Sequence, residues 1–320
     1  MVPPAVSRAL PPAVPPSAGQ RTRRDRCPAL FRPWRAEDGL LVRLRLVGGH
    51  VPVAALRALL DVATTWGDGA VHLTGRANLQ LRALPGGSSG GSPEVAPEVV
   101  EAVLATGLVP SRTHELVRNL LVSPQTGLAG GRADLRPVAT ALDAALRADA
   151  HLAALPGRFL FVLDDGRGDL ADRGSDLGLV ALDDARAQLR VGEDLGPVVA
   201  LAQAPRHLVE LAHRFLDVRG DGPGAAWHVR ELGRPLVEPC APEPGALVRS
   251  GPLPHDRVPG GVHVAVPGAR LDQEVLDRVL GLLPEPGPNR SGPGEQQVVV
   301  TPWHGVLVPA AVAGAGEERR

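Results

Sequence analysis

VHLTGRANLQL, Val71 to Leu81, is the stretch whose reading decides the fold of this chain. With Arg82 after it, Arg76, Asn78, Gln80 and Arg82 fall at every second position, between small and apolar neighbours. Side chains alternate across an extended strand, so the spacing predicts one apolar face and one row of hydrogen-bond donors. Two explanations stand: a solvated sheet face, or a platform for a ligand rich in carboxylates. A second stretch, VVVTPWHGVLV, Val298 to Val308, can be laid beneath the first. Thr301 then falls under Thr74, Trp303 under Arg76, Gly305 under Asn78 and Leu307 under Gln80. The donors occur in the first copy only. A purely structural strand should keep similar chemistry in both copies. The asymmetry therefore points to a polar ligand on copy one and to packing or sheet closure on copy two.

The flanks repeat as well. LLVRLRLVGG (Leu40–Gly49) alternates Val42, Leu44 and Leu46 against Arg43, Arg45 and Val47, a strand with one buried face. VPVAALRALLDVATTWG (Val51–Gly67) has helical spacing, with Pro52 near its start and Gly67 at its stop. AVHLTGRANLQLRAL (Ala70–Leu84) follows as a second strand, PGGSSGGSPEVAP as a flexible loop, and PEVVEAVLATG as a helix ending at Gly107. This β-α-β-α order opens a ferredoxin-like sandwich. Far downstream, GVHVAVPGARLDQEVLDRVLGLL (Gly261–Leu283) places Val262, Val264 and Val266 where Val42, Leu44 and Leu46 fell, and PGAR where VGGH fell. After the loop EPGPNRSGPGEQ comes the second copy of the opening strand. A β-α-β module has been duplicated, and repeats of this kind bury their open edges on one another.

Between the copies lies a different pattern. VPSRTHELVRNLLVSPQTG reads as a loop, a short apolar run and a turn, and LRPVATALDAALRAD as a helix. GRFLFVLDDG, DLGLVALDD and AQLRVGED read as three strands, PRHLVELAHRFLDVRG and GAAWHVREL as helices, and VEPCAPEPGALVRSGPLP as a linker. The expected fold class is α+β, with two ferredoxin-like half-domains flanking an inserted α/β domain. Expected boundaries are a disordered Pro/Arg-rich tail at 1–32, half-domain one at 33–108, the insert at 109–245, half-domain two at 246–310 and a tail at 311–320.

The 320-residue chain is long enough for more than one core. Its net charge of -1 argues against nucleic acid as a partner. All 34 basic residues are Arg, a composition typical of GC-rich coding that lowers the weight of any isolated arginine. No apolar run is long enough for a membrane helix and the N-terminus lacks a signal-peptide core, so the cytoplasm is the expected location. The two cysteines, Cys27 and Cys240, are too few for a disulfide framework, and Cys27 reads as an ordinary free thiol. His304 is the histidine best placed to face a site, although a satisfied or surface role fits it better. The pairs Asp164–Asp165 and Asp183–Asp184 fall in turns, where Asp serves local hydrogen bonding.

CPALFRPWRAEDGLLVRLRLVGG, LTGRANLQLR, VRNLLVSPQTG and VVVTPWHGVLVP, in that order, resemble the nitrite and sulfite reductase family, and most of all its precorrin-3B synthase branch. The resemblance implies the nitrite/sulfite-reductase type for the inserted domain. It also implies sirohaem and a [4Fe-4S] cluster, or a cluster enzyme that oxidises a precorrin in cobalamin biosynthesis. Such tetrapyrroles carry several carboxylates, which planar Arg forks bind in bidentate fashion. By resemblance, Arg76 and Arg118 would pair with tetrapyrrole carboxylates and Asn119 would fix the second loop. Asn78, Gln80 and Arg82 would orient Arg76 or bind directly. Arg158 falls on the first basic residue of a paired motif whose second position here is Leu160.

The pattern departs from the family at the cluster. Four thiolates are needed, and in the family they follow the TPW strand, whereas here the sequence runs out at VPAAVAGAGEERR. The expectation is a chain that cannot hold the cluster alone and has no metal site or catalytic residue of its own that can be named. Its partner would be a tetrapyrrole, with a separate cluster-bearing chain or electron donor. Three functions compete: an oxidoreductase completed elsewhere, a non-catalytic tetrapyrrole-binding module, and a degenerate paralogue.

Overall fold

A computed structural model describes residues 25–284 and 296–310. The first half-domain runs β1 (Trp34–Ala36), β2 (Gly39–Leu44), β3 (His50–Pro52), α1 (Val53–Trp66), β4 (Val71–Leu73), β5 (Leu79–Leu84), a small hairpin of β6 (Gly86–Ser89) and β7 (Ser92–Val95), and α2 (Pro97–Ala105). The insert contributes β8 (Leu120–Val122), α3 (Arg136–Ala148), β9 (Phe161–Asp164), β10 (Leu177–Ala181), β11 (Arg186–Val191), β12 (Asp194–Ala200) and α4 (Ala204–Val218). The second half-domain supplies β13 (Arg257–Val258), β14 (Gly261–Ala265), β15 (Arg270–Leu271), α5 (Gln273–Leu280), β16 (Gln297–Val300) and β17 (Gly305–Pro309).

The two copies exchange edge strands. One sheet runs β1-β2-β5-β4-β15 and the other β13-β14-β17-β16-β3, so each ends on a strand taken from the other copy. Val51 pairs with Val298, and Leu271 with Val71. The crossing is made by matched left-handed residues: Gly48 and Gly49 (φ 59° and 78°) in copy one, Gly268 and Ala269 (φ 60° and 57°) in copy two. Gly49 has no alternative, because a Cβ there would lie 2.1 Å from the carbonyl oxygen of Val300. That contact is part of the join, since the Val300 N–H donates to the Gly49 carbonyl at 2.8 Å. Helix α1 buries Leu56, Leu59 and Leu60, α2 buries Val99 and Val103, and α5 buries Val275, Leu276 and Val279, all in one core shared by both half-domains.

The insert has its own core and its own sheet, β12-β11-β10-β9-β8. Helices α3 and α4 cover it, and Phe159 packs against Phe161 and Phe215 with ring centroids 5.3 and 4.8 Å apart. An isolated parallel bridge between Val47 and Leu120 joins the insert to the first half-domain.

Several expectations need correction. The predicted single strand 70–84 is a hairpin: β4 and β5 pair with each other, His72 against Gln80 and Leu73 against Leu79. Between them the chain turns at Thr74. Its N–H donates to the Asn78 carbonyl, its carbonyl accepts from Ala77, and its hydroxyl accepts from Asn78. Ala77 takes the left-handed φ of 54° that the turn requires. The second copy turns in the same way, with Thr301 N–H donating to Gly305 and His304 at φ 56°. The period-two reading missed this because two short strands and a five-residue connection, 74–78, preserve the alternation.

The glycine-rich segment after β5 is the hairpin β6–β7 rather than a free loop. GAAWHVREL forms only a single 3-10 turn at Val229–Glu231, since a segment this short cannot sustain a helix by itself. Strand β12 went unpredicted because Gly196 and Pro197 argue against a strand; as an edge strand it tolerates both. Residues 25–32 were expected in the disordered tail but are packed. Leu30 is buried, the Glu115 carboxylate accepts the N–H groups of Leu30 and Phe31, and Asp25 accepts that of Gly157 at 2.6 Å. The rest of that tail, the 285–295 loop and the 311–320 tail lie outside the described residues.

The strand exchange gives a direct test. Gly49→Ala is expected to cost well over about 1 kcal/mol in urea unfolding, because both its φ and its contact with Val300 exclude a Cβ. Gly87→Ala, where a Cβ meets nothing within 4 Å, should stay within about 0.5 kcal/mol of the parent.

Candidate functional site

A cavity of about 580 Å³ opens where the N-terminal segment, the first sheet and the insert meet. Its walls are Arg26, Cys27, Pro28, Trp34, Leu41, Arg43, Arg76 and Arg158. Four guanidinium groups face one space, and no carboxylate is among the lining residues that the structure describes. Arg43 comes from β2, Arg76 from the β4–β5 turn, Arg158 from the loop before β9, and Arg26 from the segment tethered by Asp25 and Glu115. Arg76 is aimed by donating from Nη1 to the Arg158 carbonyl at 3.0 Å. The Arg158 guanidinium lies 5.5 Å from the Trp227 ring centroid, and that of Arg26 lies 4.9 Å from Trp34.

Among the described residues no carboxylate forms an ion pair with these four guanidinium groups, although Asp176 and Asp25 act on Arg76 from further away. Burial depresses the pKa of Arg43, and the charges of Arg76 and Arg158 add to the effect. Burial also depresses Arg76. Behind them Arg45, 3 % exposed, is pushed down to about 10 by desolvation. Its Nε donates to the Asn119 Oδ1 at 2.9 Å and its Nη1 to the Glu115 and Pro28 carbonyls, while its Nη2 has no partner. Among the described residues, the buried side-chain polar atoms without a partner are Arg43 Nε, Arg45 Nη2, Asn78 Nδ2, Gln80 Oε1 and Ser175 Oγ. All but the last belong to β2, β5 or the chain just beside them, in the sheet that borders the cavity. Native proteins pair nearly all such groups, so their concentration in this one sheet stands out.

The sequence-derived site residues divide. Arg76 and Arg158 line the cavity. Asn78 accepts the Leu46 N–H through Oδ1 and keeps Nδ2 unpaired, and Gln80 stands opposite Arg43 in the sheet. Asn119 is a bracket: it receives Arg45 and donates to the Leu116 and Gly157 carbonyls. Arg118 does not line the cavity. It is buried in an ion pair with Asp143 of α3, which also holds Arg147. Arg82 stands at the rim of the sheet, paired with Asp38 at 3.1 Å.

Arg43, Arg26, Trp34 and Cys27 were missed. The signal for Arg43 was present in the alternation of β2, where it pairs with Gln80 of the donor row. Cys27 is buried against the cavity, where desolvation first and the charge of Asp25 second raise its thiol pKa. His304 occupies the left-handed position of the second turn rather than a site.

Asp164, Asp165 and Asp169 bring ligand atoms within 4.8 Å of one another, but their oxygens are already engaged. Asp164 accepts the N–H groups of Gly166, Gly168 and Leu170; Asp165 is bidentate with Arg167; and Asp169 accepts from the Ser123 hydroxyl. Local hydrogen bonding is thus the role of the first pair, as it is of Asp183, which accepts from Ala185 and Arg186.

A duplicated β-α-β protein with exchanged edges, an inserted α/β unit and an arginine-lined cavity at their junction is the class defined by this geometry. A profile described as the nitrite/sulfite reductase ferredoxin-like half domain matches residues 34–88. A curated precorrin-3B synthase from a Sinorhizobium species is 33% identical over 147 residues, which is 45% of this chain and 29% of that protein. The solved NirA protein of Mycobacterium tuberculosis shares the fold with a TM-score of 0.60 at 19% identity, over 88% of this chain and 59% of that one. Residues 34–88 are thus similar to that family's half domain, and the fold as a whole is that of NirA. It spans less than a third of the curated relative's length and about three fifths of the solved chain's. No helix among the described residues is long and apolar enough to cross a membrane.

Burial and the charges of Asp164 and Asp165 raise the Asp169 pKa to about 7, well above its unfolded value. Between the two values the folded state holds the extra proton, so this carboxyl contributes stability that is complete below about pH 4 and lost as pH rises through 7. Urea midpoints measured from pH 4 to 8 should show this decline, and Asp169→Asn should flatten it.

Proposed function

We propose that this chain holds a polycarboxylate tetrapyrrole in the arginine-lined cavity, as the tetrapyrrole-binding part of a precorrin-3B synthase-like or sirohaem reductase-like oxidoreductase. The observation that carries this reading is four guanidinium groups on one cavity with no lining carboxylate, backed by unpaired buried polar atoms on the bordering sheet. Arg76, Arg43, Arg158 and Arg26 would take carboxylate arms, and the half-exposed Trp34 ring offers an apolar wall to a macrocycle. Sirohaem would supply electron transfer to a small oxyanion, whereas a precorrin would itself be the molecule oxidised, on the way to cobalamin. The chain's own part is to bind, orient and neutralise the anionic rim of the ligand.

A [4Fe-4S] cluster does not fit these residues. The two cysteines are separated by fold as well as number: Cys27 faces this cavity, and Cys240 is exposed beside another one in the insert. No step is assigned to a cluster, and its thiolates would have to come from polypeptide outside these 320 residues. The same observation favours, as a second reading, a module that binds the tetrapyrrole without redox chemistry.

Titration with sirohaem, followed by the Soret band, tests the binding. A saturable shift is expected, with Arg76→Ala about tenfold weaker, the scale of a lost charge-assisted hydrogen bond. No shift, or equal binding by Arg76→Ala, would overturn it. Iron and acid-labile sulfide in stoichiometric amounts in anaerobically purified protein would decide against the redox-free module.

A further inference from the structure

Arg173 comes from the insert, in the loop after β9, yet it contacts both half-domains. Its Nη1 donates to the Gly75 carbonyl and its Nη2 to the Pro302 carbonyl, each at 3.4 Å. Gly75 and Pro302 are the same position in the two copies, each following the threonine that starts the turn. One planar guanidinium thus bridges the duplicated hairpins at equivalent atoms. The loop bearing Arg173 is itself secured: Arg190 of β11 donates to the carbonyls of Leu170, Ala171 and Arg173.

We propose that Arg173 is a positioning residue for the cavity, holding the turn that presents Arg76. The bonded carbonyl belongs to the residue directly before Arg76. The remaining restraints on that turn come from Thr74, whose hydroxyl accepts from Arg76 and Asn78, and from the left-handed Ala77. Gly75 has no side chain to anchor it, so its carbonyl is the handle by which the insert fixes the hairpin. A fork with two parallel donors suits this bridge; a lysine ammonium could reach one carbonyl but would lack the planar geometry for both. The role in ligand binding rests on the tetrapyrrole reading, whereas the clamp itself does not.

The test has two independent arms on the full chain. Hydrogen exchange without ligand should show Arg173→Ala speeding exchange at the amides of both turns, 75–78 and 303–305, with Arg173→Lys intermediate. Unchanged exchange in both turns would overturn the clamp, whatever the protein binds. In the second arm sirohaem affinity is measured in a double-mutant cycle. Arg173→Ala should weaken binding by up to about tenfold in the parent, by the scale of one hydrogen bond to a charged group. It should have little further effect in Arg76→Ala and act additively with Arg26→Ala. Additivity with both partners would reduce Arg173 to general stability and overturn its positioning role. If the parent binds no sirohaem, the tetrapyrrole reading falls and the exchange arm alone decides the clamp.

Discussion

Each half-domain is completed by a strand that belongs to the other, and most of the architecture depends on this exchange. A sheet with an open edge exposes unpaired N–H and C=O groups. Here β3 and β15 cover the reciprocal edges, and the helices of both copies drain into one core. The exchange requires the chain to cross between sheets within a few residues. That demand explains the left-handed pairs Gly48–Gly49 and Gly268–Ala269, and the bare backbone contact between Gly49 and Val300. The join then sets the two turns close enough for a single arginine from the insert to reach both.

On this rigid base the first copy carries charge that is not neutralised internally. Elsewhere several arginines are paired with acids: Arg118 with Asp143, Arg167 with Asp165, Arg82 with Asp38. Around the cavity no such pair occurs among the described residues, and Arg43, Arg45 and Arg76 are all depressed by burial. The local structure carries this cost through backbone carbonyls, which supply partial negative charge without occupying the space an anion would use. The second copy shows the alternative solution. His263 stands where Arg43 stands, with both ring nitrogens engaged by Pro254 and Thr301, and Trp303 packs nearby in place of Arg76.

The duplication, the mixed α+β order and the inserted unit were all legible in the sequence, because apolar periodicity and a repeated threonine survive divergence. The hairpin at Thr74 was not, since a short turn of suitable length leaves the alternation of an unbroken strand intact. Of the arginines that line the cavity, Arg76 and Arg158 were singled out by motif resemblance. Arg118 looked equivalent to Arg76 in sequence, but whether an arginine faces a cavity or an acid depends on a helix 25 residues downstream, here Asp143 on α3. Arg43 and Arg26 were visible in the sequence but not as neighbours. One read as the polar side of a strand and the other as part of a tail, and only the folding of residues 25–34 against the sheet brings them to the same cavity.

The matched turns carry a consequence for how such a protein diversifies. Their shape is held by threonine, by one left-handed residue and by backbone bonds, so the side chain two places after each threonine takes no part in holding the turn. In one copy that place carries Arg76, in the other Trp303. The same scaffold thus offers two addresses at which recognition can be rewritten without disturbing the frame. In this chain one of them has been written for charge, and the other has been left to seal the sheet.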